Sequence, residues 1–148
     1  MAELTRILVP TDFSVHAEKA LKLAIAFARA WDAQIDLFHV IQWPTHYAYP
    51  LESDLYVDLT KEAHDSATRK LDEISQAVAA EEVRVATHIK EGIAPREIIE
   101  AADEFQSKLI VLGTRGVSGL KHHLLGSVAE RTVRLATCPV ITVTAKDD

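Results

Sequence analysis

Five short runs rich in branched aliphatic residues, RILVP, QIDLFHVI, VRVATHIK, KLIVLG and PVITV, alternate along the chain with longer segments of helical spacing. That alternation constrains the fold more than any other feature, because strand followed by helix, repeated, is the pattern of an α/β domain with a parallel sheet. Between the first two runs, Ala17, Ala20, Leu21, Ala24, Ile25 and Ala28 recur at steps of three and four and so share one helix face. Ile7 to Val9 and Leu109 to Leu112 are unbroken apolar stretches, as strands covered on both sides require, so the first and fourth strands are expected in the middle of the sheet. VRVATHIK alternates instead, with Val83, Val85, Thr87 and Ile89 on one side and Arg84, Ala86, His88 and Lys90 on the other, and is expected at an edge. Right-handed crossovers then predict one domain over residues 1–148, a five-stranded parallel sheet of order 3-2-1-4-5 with helices on both faces, Rossmann-like in architecture.

At 148 residues with 48% hydrophobic content, the chain has the apolar material for one compact core. A formal charge of −6 argues against nucleic acid or an anionic membrane surface as partner, since both call for a basic face. Polar or charged residues interrupt every hydrophobic stretch well short of the ~20 residues a spanning helix needs. The opening MAELTRILVP lacks a charged segment leading into an apolar one, and Cys138 is the only cysteine, which together suggest the cytoplasm. Cys138 reads as a small core residue.

In an open sheet of this order, ligands bind at the carboxyl ends of the strands flanking the switch between strands one and four. Two segments meet there: PTDFS, with Pro10, Thr11 and Asp12, and GTRGVSG from Gly113. Four of the five glycines lie between residues 111 and 130, as Gly113, Gly116, Gly119 and Gly126. The spacing matches neither a Walker loop nor a dinucleotide fingerprint. Its logic is related, because glycine lets backbone N–H groups approach an anion. Ser127 and Glu130 are spaced as a capping box, so Gly126 should lead into a helix whose N-terminus attracts phosphate, with Arg115 adding a charged donor. Ser127 as a helix cap and Ser127 as a phosphate ligand are compatible readings.

ILVPTDFS near the start, GTRGVSGLKHHLLGSVAERTVRLATCPVITV at the end, and the order of elements between them resemble the universal stress protein family over nearly the whole chain. In that family the spacing G-x-x-G, nine residues, G-Ser/Thr marks members that bind ATP or related adenine nucleotides. The resemblance implies that Leu112, Gly113, Arg115 and Gly116 run along ribose and phosphates. It implies that Gly126, Ser127 and Val128 close over the phosphates, and that Pro10, Thr11 and Asp12 line the floor. Val40, near the end of the second strand, would meet the adenine edge through its backbone. His122 and His123 stand where relatives often carry Arg or Leu.

Asp12 either approaches ribose or the Mg²⁺ of bound ATP, or organises the turn ahead of Ser14, the expected cap of the first helix. Seven scattered histidines show no paired spacing for a dedicated metal site. Residues 42–58, with Trp43, Tyr47, Tyr49 and Tyr56, form the one long irregular stretch, readable as a lid over the base or as a patch on core or interface. The last strand is apolar and at an edge, so a two-fold homodimer through Val140 to Thr144 is expected, as the family often shows. The functional expectation is a regulatory protein that binds ATP or AMP and acts through conformation or partners. A slow ATP hydrolase or other nucleotide-processing enzyme on the same fold is the alternative; no general base or phosphate-loop lysine is evident.

Overall fold

A computed structural model describes residues 3–42, 54–115 and 125–145. Its elements run β1 (Arg6–Pro10), α1 (Val15–Trp31), β2 (Gln34–Ile41), α2 (Asp54–Ala79), β3 (Val85–Glu91), α3 (Ala94–Glu104), β4 (Leu109–Gly113), α4 (Ser127–Leu135) and β5 (Val140–Val143). All pairings are parallel and the order is β3-β2-β1-β4-β5, so the single-domain α/β architecture and the switch between β1 and β4 stand as expected.

Alternation along the central strands divides the core in two. Ile7, Val9, Ile35, Leu37, Leu109 and Val111 face α1 and α2, where Ala20, Ala24 and Ala28 let α1 lie close against the sheet. Leu8, Phe38, Ile110 and Leu112 face the other way, onto Ala94, Ile98, Ala101 and Ala102 of α3 and Ala129 of α4. Cys138 packs half-buried against this second layer.

Two boundaries differ from expectation. β3 opens at Val85, two residues after Val83, which is buried ahead of the strand. The stretch 42–58 is not irregular throughout: 54–58 belong to α2, with Tyr56 inside its first turns. Asp54 in the first turn favours that start by placing a negative charge at the positive end of the helix. Residues 43–53, and with them Trp43, Tyr47 and Tyr49, lie outside the described part, as do Gly116, Gly119, His122 and His123.

On the α3 side of β2, a charged cluster is set into the sheet. Asp36 is fully buried and accepts from Arg6 Nε at 2.9 Å and Nη2 at 2.7 Å, from Gln34 Nε2 at 3.2 Å and from His88 Nε2 at 3.0 Å. Phe105, just past α3, stacks on the His88 ring at 4.3 Å and lies under the Arg6 guanidinium. Burial alone would push the Asp36 carboxyl up, but the hydrogen bonds from Arg6 and His88 outweigh it and hold the group below the ordinary carboxylate range.

Candidate nucleotide-binding cleft

The carboxyl ends of β1 and β4 open onto a cleft of about 380 Å³. Its floor is Pro10, Thr11 and Asp12; Phe38, Val40 and Gln42 come from β2 and its end, and Ala94 and Ile98 from α3. The far side is Leu112 to Arg115 and Gly126 to Ala129. The structure thus brings together every expected site residue that it describes.

The floor is stiffened by side chains bonding to nearby backbone. Phe13 N–H donates to Thr11 Oγ1 at 3.1 Å, Ser14 N–H to Asp12 Oδ1 at 3.0 Å, and Ala17 N–H to Ser14 Oγ at 3.2 Å. These bonds hold Phe13 at φ 66°, a region a bulky residue seldom occupies. Asp12 therefore performs the turn role and at the same time lines the cleft.

His39, which sequence reasoning considered only as a scattered metal ligand, fixes the same loop from behind. Its Nδ1 donates to the Thr11 carbonyl at 2.8 Å and its ring lies 4.5 Å from that of Phe13, over which Lys70 sits at 5.0 Å. Burial lowers the His39 pKa, the Thr11 carbonyl and Asp12 oppose that, and Lys70 adds to it. The ring is thereby biased toward its neutral form. Among the described residues no group of three or more His, Cys, Asp or Glu side chains is placed to hold a metal ion.

The described glycines meet a packing requirement of their own. A Cβ on Gly113 would come within 2.7 Å of His16 Cβ and 2.8 Å of its carbonyl carbon; one on Gly126 would come within 2.9 Å of the Thr114 carbonyl oxygen. Glycine is required at both places because protein backbone passes there, before any ligand is considered. Gly126 N–H donates to Thr114 O at 2.6 Å and its carbonyl accepts from Glu130 N–H at 2.9 Å, which makes Gly126 the N-cap of α4.

Ser127 is therefore the first helical residue and not the cap, and the capping box does not form. Glu130 turns to Arg134 instead, at 2.6 Å. The consequence for the site is favourable: Ser127 is exposed, lines the cleft, and sits where the first N–H groups of α4 lack helical partners. Arg115 is buried, and its Nη2 reaches the Ala145 carbonyl at 3.4 Å.

At the other end of the cleft, Thr11 N–H donates to Phe38 O at 2.8 Å, the last bond between β1 and β2. Backbone groups of a parallel strand alternate in direction, so those of Val40 point the same way as those of Phe38, past the end of β1. Val40 thus offers a donor and an acceptor side by side to the switch crevice. Gln42 and Ile98 also line the cleft, and the period-two continuation of Val40 along the chain is the sequence signal that points to Gln42. Its Oε1 accepts from Ala94 N–H at 2.9 Å, serving the start of α3, whose cap residue Ile93 has no side-chain bond to give.

The profile of the Universal stress protein family matches residues 3–144. Universal stress protein MJ0531 of Methanocaldococcus jannaschii is 36% identical over 140 residues, covering 93% of this chain and 81% of that protein. The solved structure of MJ0577, also from M. jannaschii, superposes with a TM-score of 0.88 at 31% identity, covering 99% of this chain and all of that one. Two more distant solved structures share the fold. One is a universal stress protein in complex with cAMP, at TM-score 0.72 and 22% identity over 96% of this chain and 98% of that one. The other, from Archaeoglobus fulgidus in complex with dAMP, has TM-score 0.71 and 23% identity over 96% of this chain and 99% of that one. Sequence, sheet order and superposition agree: this chain belongs to the universal stress protein family.

Proposed function

We propose that the cleft binds an adenine nucleotide, ATP or AMP, and that occupancy changes the conformation or partners of a regulatory stress-response protein. The observation that carries this reading is the pairing of two ends. Val40 presents N–H followed by C=O, the complement of adenine N1 and its 6-amino group, whereas guanine offers the reverse polarity at those atoms. Opposite, α4 follows its N-cap Gly126 with a helix N-terminus suited to phosphate. The cleft volume, about 380 Å³, falls within the ~300–1,000 Å³ common for small-molecule sites.

Phe38, Val40 and Ile98 supply apolar faces for a base, while Asp12 retains Oδ2 for a ribose hydroxyl or for the Mg²⁺ that accompanies ATP. The motif G-x-x-G, nine residues, G-Ser supports the ATP-binding subclass. cAMP and dAMP are adenine nucleotides held by proteins of the same fold, which supports the choice of ligand class.

Calorimetric titration of nucleotide-free protein with ATP and Mg²⁺, AMP and GTP tests the proposal. Adenine-selective binding supports it; no heat with any nucleotide at millimolar concentration overturns it. The ratio of ATP to AMP affinity reads whether the protein can respond to energy charge.

A further inference from the structure

The Gln42 carboxamide is committed at one end only. Its Oε1 is taken by Ala94 N–H at 2.9 Å, which fixes the amide orientation, since a backbone N–H needs the oxygen. The Nε2 end, among the described residues, has no hydrogen-bond partner, and the side chain lines the cleft. Strand periodicity puts Gln42 on the same face as Val40 and Phe38, one step farther in the chain direction.

From this geometry we infer that Gln42 contacts the base, donating from Nε2 to the purine N7. The inference rests on the adenine-nucleotide reading above. Along β2, the Val40 N–H precedes its C=O, so an adenine meeting them with N1 and the 6-amino group has C5 and N7 next in the direction of Gln42. N7 is an acceptor with no hydrogen, and the Gln42 amide offers a donor with its oxygen already occupied. A residue serving only to cap α3 needs Oε1 and nothing in the cleft. A residue reading N7 needs both ends, and Gln42 has both in place.

The test is a cycle of protein and ligand changes, read by titration with ATP and with 7-deaza-ATP, in which N7 is replaced by C–H. For the wild-type protein, loss of N7 removes one neutral hydrogen bond and weakens binding about fivefold. Gln42→Met removes the donor and the acceptor together, so the two nucleotides then bind equally. Gln42→Glu keeps an acceptor for Ala94 N–H, and so guards against simple loss of the α3 start, but faces N7 with a carboxylate; 7-deaza-ATP then binds the better of the two. The same fivefold loss in wild type and Gln42→Met, or no loss in wild type, overturns the assignment of Gln42 while leaving adenine binding intact. Failure of the wild-type protein to bind ATP overturns both readings at once.

Discussion

Gly113 ends β4 directly against His16 of α1, with room for a hydrogen and not for a methyl group: an added Cβ would lie 2.7 Å from His16 Cβ and 2.8 Å from its carbonyl carbon. His16 cannot yield easily, because its Nδ1 accepts from Ala145 N–H at 3.1 Å and its backbone is inside a helix. Gly113→Ala must therefore push α1 off the sheet, at about 1–3 kcal/mol, the usual cost of overpacking. Urea unfolding should show that loss in the absence of any nucleotide. Unchanged stability in Gly113→Ala would mean that the helix and strand part more readily than this contact implies.

Asp36 makes the fold sensitive to acid. Its folded pKa lies below that of the unfolded chain, about 3.9, so the stability it contributes is complete above roughly pH 4 and drains away as pH falls through the lower, folded value. Asp36→Asn should cost about 2–3 kcal/mol at neutral pH, somewhat under the ~3–5 kcal/mol of wholly buried pairs because Arg6 is partly exposed. Urea midpoints measured from pH 6 to pH 3 should fall more steeply for wild type than for Asp36→Asn. Parallel profiles would show that the carboxylate is not linked to folding.

His39 works at higher pH and on the floor of the cleft. A histidine with a lowered folded pKa contributes stability that is present above its unfolded value, about 6.5, and lost as pH falls through the folded value. His39→Asn retains a donor for the Thr11 carbonyl but does not titrate. Between pH 7 and pH 5 the wild-type stability should drop relative to this variant, by at most about 1.4 kcal/mol per pH unit for one proton. Identical pH profiles would remove His39 as the source.

The outer side of β5 bears on assembly. Thr114 N–H donates to Val143 O and Ile110 N–H to Pro139 O, so the backbone groups of odd-numbered residues in β5 face β4 and those of Val140, Thr142 and Thr144 face outward. If two copies pair through this edge, Thr142→Pro removes an outward N–H without taking a bond from β4. Sedimentation at micromolar concentration should give a dimer for wild type and a monomer for Thr142→Pro with unchanged circular dichroism. A monomeric wild-type protein would overturn the pairing.

What could be read from the sequence follows from the range over which each feature is encoded. The strand order rests on hydrophobic runs and crossover handedness, and the Ser14 cap on three adjacent residues, so both were accessible from local pattern. The reason for Gly113 was not, because His16 is nearly a hundred positions away and only the packed sheet brings it there. Ser127 shows a subtler failure: the Ser-x-x-Glu pattern is a sound local signal, but Gly126, wedged beneath the Thr114 carbonyl, takes the cap and shifts the helix by one residue. His39 and Gln42 act through the Thr11 carbonyl just past β1 and the first N–H of α3, contacts that no single-segment pattern contains.

That one-residue shift yields the cleanest probe of the ligand. As an exposed first helical residue making no cap bond, Ser127 contributes little to the free protein, and Ser127→Ala should leave stability within about 0.5 kcal/mol of wild type. If its hydroxyl bonds a phosphate oxygen, the same change removes a hydrogen bond to a charged group, worth about 1.5–3 kcal/mol, and weakens ATP binding at least tenfold. Calorimetric titration beside urea unfolding reads both quantities on one preparation. Loss of affinity with stability retained assigns Ser127 to the nucleotide; loss of stability with affinity retained would return it to the capping role, and the N-cap geometry of Gly126 would then need another explanation.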